Sequence, residues 1–161
     1  MEPTIRPYTA PDGDAVVALS LRAWEPVFAS VERALAGSGV FEAQHPDWRH
    51  SQSRAVRRAC DESAAVWVAE LDGVVAGFSA AVLHTEDRMG EIAMLAVDPP
   101  YQGRGIGSRL TAVATEWLGL QGMTTVMVET GGDDGHAPAR AVYARAGFTL
   151  LPVARFFRTV P

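Results

Sequence analysis

Lysine is absent from the 161-residue chain, and all 14 basic residues are arginine. That removes a P-loop, whose lysine reaches the phosphates, and any mechanism built on a lysine Schiff base. Cysteine is nearly absent too. The single Cys60 cannot form an internal disulfide, and no Cys/His cluster has metal-ligand spacing, so no metal is expected. Basic excess is missing as well: 14 arginines stand against 19 acidic residues, for a net charge of −5. Nothing there would neutralise phosphates, so sequence-independent nucleic-acid binding is not expected. No apolar run is long enough for a bilayer. Met1-Glu2-Pro3-Thr4-Ile5-Arg6 has neither the basic start nor the apolar stretch of a signal peptide. A cytoplasmic protein with no membrane partner is therefore expected. With 48% hydrophobic and 20% charged residues, the length describes one domain over residues 1–161.

Periodicity divides this domain into two sections. Residues 4–64 begin with a short strand from Thr4 to Tyr8, closed by Pro11-Asp12-Gly13. A helix follows with Ala15, Val16, Leu19 and Ala23 on one face, and the helical pattern resumes after Pro26 up to Gly37 and Gly39. Asp47 reads as the N-cap of a further helix through about Asp61. From residue 65 the period shortens. Two strand-like runs, Ala65–Leu71 and Val74–Val82, flank Asp72-Gly73, a strong hairpin signal. A third run, Glu91–Val97, ends at Asp98-Pro99-Pro100, and a glycine-rich segment opens a helix faced by Leu110, Val113, Ala114, Trp117 and Leu118. Thr124–Thr130 is β-branched, Pro138 starts a short helix closed by Gly147-Phe148, and Thr149–Val160 carries enough Val, Leu and Phe for one or two strands. The expectation is an α/β fold with a mixed, twisted sheet of about six to seven strands flanked by helices.

The segment Gln102-Gly103-Arg104-Gly105-Ile106-Gly107 carries the strongest chemical signal. Glycines there let the backbone approach a ligand, and the free N–H groups of a helix start favour an anion. A plain glycine-rich turn is the competing explanation. A Rossmann fingerprint fits poorly, because Gly107 falls one place early and Asp98–Tyr101 separates the strand from its glycines, although Glu129 sits near the required distance.

Gln102-x-x-Gly105-x-Gly107, behind a strand ending Leu95-Ala96-Val97-Asp98-Pro99, resembles the acyl-CoA-binding motif of the GNAT superfamily of N-acetyltransferases. Ala139–Phe148, with Tyr143 ahead of Gly147-Phe148, resembles that family's second signature. The resemblance is specific from about Val66 to Phe148 and loose over Thr4–Ser63. It implies a single-domain GNAT-like fold with an acetyl-CoA-binding core over residues 65–160 and a variable acceptor-side section over 4–64. It further implies that backbone groups of Leu95, Ala96 and Val97 pair with the pantetheine arm. Gln102, Gly103, Arg104, Gly105, Ile106, Gly107 and Ser108 would then surround the pyrophosphate. His136 stands where many members have asparagine, which leaves either an altered pantetheine contact or an ordinary loop histidine.

The implied reaction is transfer of an acetyl group from acetyl-CoA to a primary amine on a small molecule or peptide. A side-chain amine with a pKa near 10.4 is only about one part in two thousand neutral at pH 7, a handicap of roughly 4.6 kcal/mol. For an α-amine near 7.7–8.0 the handicap is about 1–1.4 kcal/mol, so a general base matters most for lysine-like acceptors. Glu91 is the expected base, with Glu129 as the alternative base or an anchor for the amine. Tyr143 is, by resemblance, the proton donor to the thiolate. Trp24 and Phe28 are expected at the acceptor pocket, unless they are core. A non-catalytic acyl-CoA-binding module with the same fold is the alternative, and a homodimer is left open.

Overall fold

Residues 2–161 are described by the computed structural model. Five strands, β1 (Thr4–Pro7), β2 (Ala65–Leu71), β3 (Val74–His84), β4 (Met89–Val97) and β5 (Thr125–Met127), form one sheet in sequence order. Neighbours from β1 to β4 are antiparallel, and β5 joins β4 in parallel. Asp72 and Gly73 turn the β2–β3 hairpin with φ of 53° and 77°. Both values are left-handed, as required by the two-residue turn whose twist matches its strands.

The helices are α1 (Gly13–Ala34), α2 (Val40–Gln44), α3 (Trp48–Glu62), α4 (Ile106–Leu120) and α5 (Ala137–Arg145). Helix α4 covers one face of the sheet. Its residues Ile106, Leu110, Ala114 and Leu118 recur every four positions and are buried against Trp67, Ala69, Leu71, Ala81 and Ile92. Two glycines make this contact close. A Cβ on Gly77 would lie 3.1 Å from Ile106, and one on Gly90 would lie 2.6 Å from Leu118. On the opposite face Val16 and Leu19 of α1 and Val56 of α3 enclose Val68, Phe78, Ala80 and Ala96. Full burial of each large apolar side chain contributes about 1.5–3 kcal/mol, so both faces hold the sheet.

Helix α1 is continuous through Pro26, which has no N–H to offer the turn before it. Asp47 caps α3 by accepting a hydrogen bond from the His50 amide at 3.1 Å. The expected six to seven strands reduce to five. Thr124–Thr130 contributes a strand only over Thr125–Met127, and Thr149–Val160 contributes none. Leu150, Leu151, Val153, Phe156 and Val160 are instead exposed. Strand-forming side chains need a ladder to join, and Pro152 removes a donor from this segment.

Candidate active site at the splayed strands

Beyond Glu91 the sheet opens. Strands β4 and β5 pair only at Met89–Thr125, Gly90–Val126 and Glu91–Met127, whereas β4 continues along β3 to Val97. The cause lies in β4 itself. Ala80 faces Met94 and Ala81 faces Ile92, so Ala93 is an extra residue, a β-bulge. Bulges bend their strand and increase its twist, and a parallel neighbour cannot follow. Leu95, Ala96 and Val97 therefore have β3 along one edge and, among the described residues, no strand along the other. The Val97 carbonyl is already engaged, accepting from Gln102 Nε2 at 3.0 Å.

The chain then turns through Pro99–Tyr101 into the glycine segment, where Gly103 and Gly105 have φ of 75° and 76°. These left-handed values make glycine the natural residue at both positions. Gly105 is the N-cap of α4 and has no side chain to cap it. The Arg109 amide donates to the Gly105 carbonyl at 3.0 Å, but the amides of residues 103–108 meet no protein acceptor among the described residues. A run of free N–H groups at a helix N-terminus suits a phosphate or pyrophosphate. Arg104, with its guanidinium carbon 5.6 Å from the Tyr101 ring centre, adds a cation beside this run.

Helix α5 faces the same opening. A Cβ on Gly107 would lie 3.7 Å from both Val142 of α5 and Val97 of β4, which puts Tyr143 one residue from that junction. Tyr143 is 9% exposed, with its ring edge-on to Phe148 at 5.9 Å. Burial pushes its phenol up to about 12, so it stays protonated at neutral pH and keeps its O–H proton to donate.

Strand alternation places Glu91 on the other face from α4, because Gly90 and Ile92 on either side of it face that helix. There its Oε2 meets Nε2 of His84, one strand away, at 2.6 Å. Glu129 is exposed and bound by Arg155 at 2.9 Å, apart from this pair. His136 turns to Asp133, with Nδ1 2.5 Å from Oδ1. Burial works to raise the Asp133 carboxyl, but the Ser30 hydroxyl and His136 hold it below its usual range. Ser30 also accepts from the Gly135 amide at 3.0 Å, and Arg140 donates to the Gly131 and Asp133 carbonyls. The loop carrying His136 is thereby fastened to α1. Phe28 stacks on Trp48 at 4.4 Å and meets His45 edge-on, while Trp24 packs against the core beneath α1 and α3.

The sheet parts after a bulged strand, and an uncapped glycine turn stands at the head of the next helix. The family model for the acetyltransferase (GNAT) family matches residues 28–148. The chain belongs to the GNAT acetyltransferase family. Among relatives of this GNAT chain, a mycothiol acetyltransferase of Thermomonospora curvata is 33% identical over 159 residues, covering 95% of this chain and 50% of the relative. A mycothiol acetyltransferase of Streptomyces bingchenggensis is 33% identical over 132 residues, covering 78% and 41%. The chain thus spans about half the length, or less, of these curated relatives. The PaiA N-acetyltransferase of Thermoplasma acidophilum, solved with coenzyme A, superimposes with a TM-score of 0.70 over 96% of this chain and 94% of that one at 15% identity, which shows the shared fold.

The structure brings Leu95–Val97, the 102–108 turn and Tyr143 to one opening in this GNAT domain, with Glu91 at its apex. Glu129 and Phe28 are engaged elsewhere. Sequence inspection missed His84, Ser30 and Asp98. Only His84 left a signal, since the hairpin counted outward from Asp72-Gly73 leads to it beyond Val82.

Proposed function

We propose that this domain transfers an acetyl group from acetyl-CoA directly to a primary amine. The observation that carries this function is the acceptor-free run of amides at residues 103–108, set beside the unpaired edge of β4. The donor set fits the ligand: free N–H groups and Arg104 suit a pyrophosphate, and a strand edge suits the amides of a pantetheine arm. Bound acetyl-CoA supplies an activated thioester.

The chain's own residues divide the remaining work. Backbone groups of Leu95 and Ala96 align the arm along β4, and Gly103, Gly105, Ile106, Gly107 and Ser108 hold the phosphates. The Glu91–His84 pair accepts the proton of the acceptor's ammonium. Tyr143 donates a hydrogen bond to the departing sulfur. Full proton transfer from a phenol near 12 to a thiolate whose acid lies near 8.5 is uphill by roughly 3.5 units. Tyr143 therefore stabilises developing negative charge, and the sulfur's final proton comes from solvent. His136, held by Asp133, shapes the loop that lines the arm.

For the acceptor, the names of the mycothiol acetyltransferases favour a small molecule over a protein. The cytoplasm, where acetyl-CoA is made, is the expected setting. Thiol release from acetyl-CoA across a panel of small amines and peptides tests the function. A module that only binds acyl-CoA would gain thermal stability from coenzyme A yet release no thiol with any amine.

A further inference from the structure

Glu91 does not stand alone at the apex of the opening. His84 on β3 and Glu91 on β4 are diagonal neighbours, since Val82 faces Glu91 and His84 faces Met89. Glu91 also belongs to the last residue pair before β4 and β5 part. An ionised carboxylate only accepts, so in a neutral imidazole the 2.6 Å contact calls for the proton on Nε2 and leaves the lone pair on Nδ1. Among the described residues nothing bonds to that Nδ1, and the ring is 39% exposed. Glu91 Oε2 is committed to the ring.

Resting on the acetyl-transfer function proposed above, we infer that His84 Nδ1 is the atom that takes the acceptor's proton, with Glu91 as the carboxylate that orients the ring. As a class, imidazole near 6.5 is a better match to neutral-pH proton abstraction than a carboxylate near 4.3. A carboxylate on the far nitrogen fixes the tautomer and stabilises the imidazolium that forms, the division of labour found in Asp–His pairs. The ammonium N–H bond breaks, an Nδ1–H bond forms, and the freed electron pair stays on the amine nitrogen. That pair makes the C–N bond as the thioester C–S bond breaks. The nitrogen's second proton balances the one the sulfur takes, and the imidazolium returns its proton to water. The other charged groups close by are Glu86, Asp87 and Arg88 in the turn after His84, the last donating to the Gly122 carbonyl, and Glu129 two residues past Met127, the β5 partner of Glu91. None of them, and no charged side chain of α1 or α3, bonds to the pair among the described residues.

Two variants and one spectrum test this. Long-range ¹H–¹⁵N correlation on histidine-labelled protein should show His84 as the Nε2–H tautomer, and an Nδ1–H tautomer overturns the inference whatever the activity. His84→Gln keeps an N–H donor where Nε2 stood but cannot take a proton. It should lower turnover at least about 10²-fold and erase the acidic limb of the pH–rate profile, with the coenzyme A-induced shift in Tm retained. Glu91→Gln keeps an acceptor for the ring, so it should cost less and move the acidic limb to lower pH. Glu91→Gln costing more than His84→Gln, or His84→Gln within threefold of wild type with its limb intact, makes Glu91 the base and overturns the assignment. A wild-type protein that releases no thiol with any amine overturns the transferase function itself, and this assignment with it.

Discussion

Arg22 on α1 forks onto both oxygens of Asp98, the residue directly after β4, with Nε 2.9 Å from Oδ1 and a terminal nitrogen 2.7 Å from Oδ2. Asp98 is 4% exposed, and its carboxylate raises the Arg22 guanidinium above its usual range. This bidentate pair joins α1 to the strand end from which the glycine turn departs. Arg22→Ala leaves a buried carboxylate without its cation and should cost about 1–3 kcal/mol. Urea unfolding at neutral pH measures that loss, and Arg22→Lys, which cannot fork, should recover only part of it.

Asp12 makes stability fall in acid. The Arg6 guanidinium, with amide and hydroxyl bonds from Thr9, holds the Asp12 carboxyl well below the ordinary carboxylate range. In the unfolded chain the group returns to about 3.9. Below that pH the unfolded state binds a proton that the folded state refuses, so stability drops as pH falls toward the folded value. Above it the contribution is constant. Asp12→Asn should flatten this part of the acid-unfolding curve and lower stability at neutral pH, as read by unfolding at a series of pH values.

Coenzyme A should raise the melting temperature. At a hundredfold excess over Kd the gain is about 2.7 kcal/mol, or roughly 5–10 °C for a domain of this size. Gly105→Ala forces a side chain into a backbone with φ of 76°, at a cost of about 1–2 kcal/mol before any ligand is added. Gly107 behaves differently, since its Cβ would meet Val97 and Val142 only at an ordinary 3.7 Å. Gly107→Ala should therefore melt close to wild type yet reduce the coenzyme A shift, because a methyl at the helix start crowds ligand approach. An undiminished shift would put the ligand elsewhere.

Tyr143→Phe removes only a hydroxyl from a packed ring, so fold and coenzyme A binding should persist. Turnover should fall about 10²–10³-fold if the hydroxyl supports the leaving sulfur. Because burial keeps the phenol protonated up to about 12, wild type should show no alkaline loss of activity from this group below about pH 10. Single-turnover rates of both proteins across that range decide the point.

Local chemistry made part of the fold readable. Asp47, Asp72-Gly73 and the glycines before α4 each impose a backbone state on their immediate neighbours, and all three sit where the pattern puts them. The sheet was overcounted because strand propensity belongs to side chains whereas pairing belongs to the whole molecule: Phe156 and Val160 have the propensity and no ladder. Arg22 and Asp98 meet across 76 positions, a distance that no motif spans. His84 meets Glu91 only through a register that runs past the Ala93 bulge. The aromatic cluster of Phe28, Trp48 and His45 stayed unread because its members come from two helices and a turn, and nothing in their spacing announces it.

The three residue pairs joining β4 to β5 also bear on how the molecule comes apart. From Val128 onward the chain has no strand ladder and is fastened by Ser30 to Gly135, by Arg140 to its own loop, and by α5 against α4. Such a segment has its own opening equilibrium, at lower free energy than the strands β2 to β4. A ligand lodged between β4 and α5 would bridge the two units. Amide hydrogen exchange should then find two protection levels in the free protein and a single cooperative block once coenzyme A is bound.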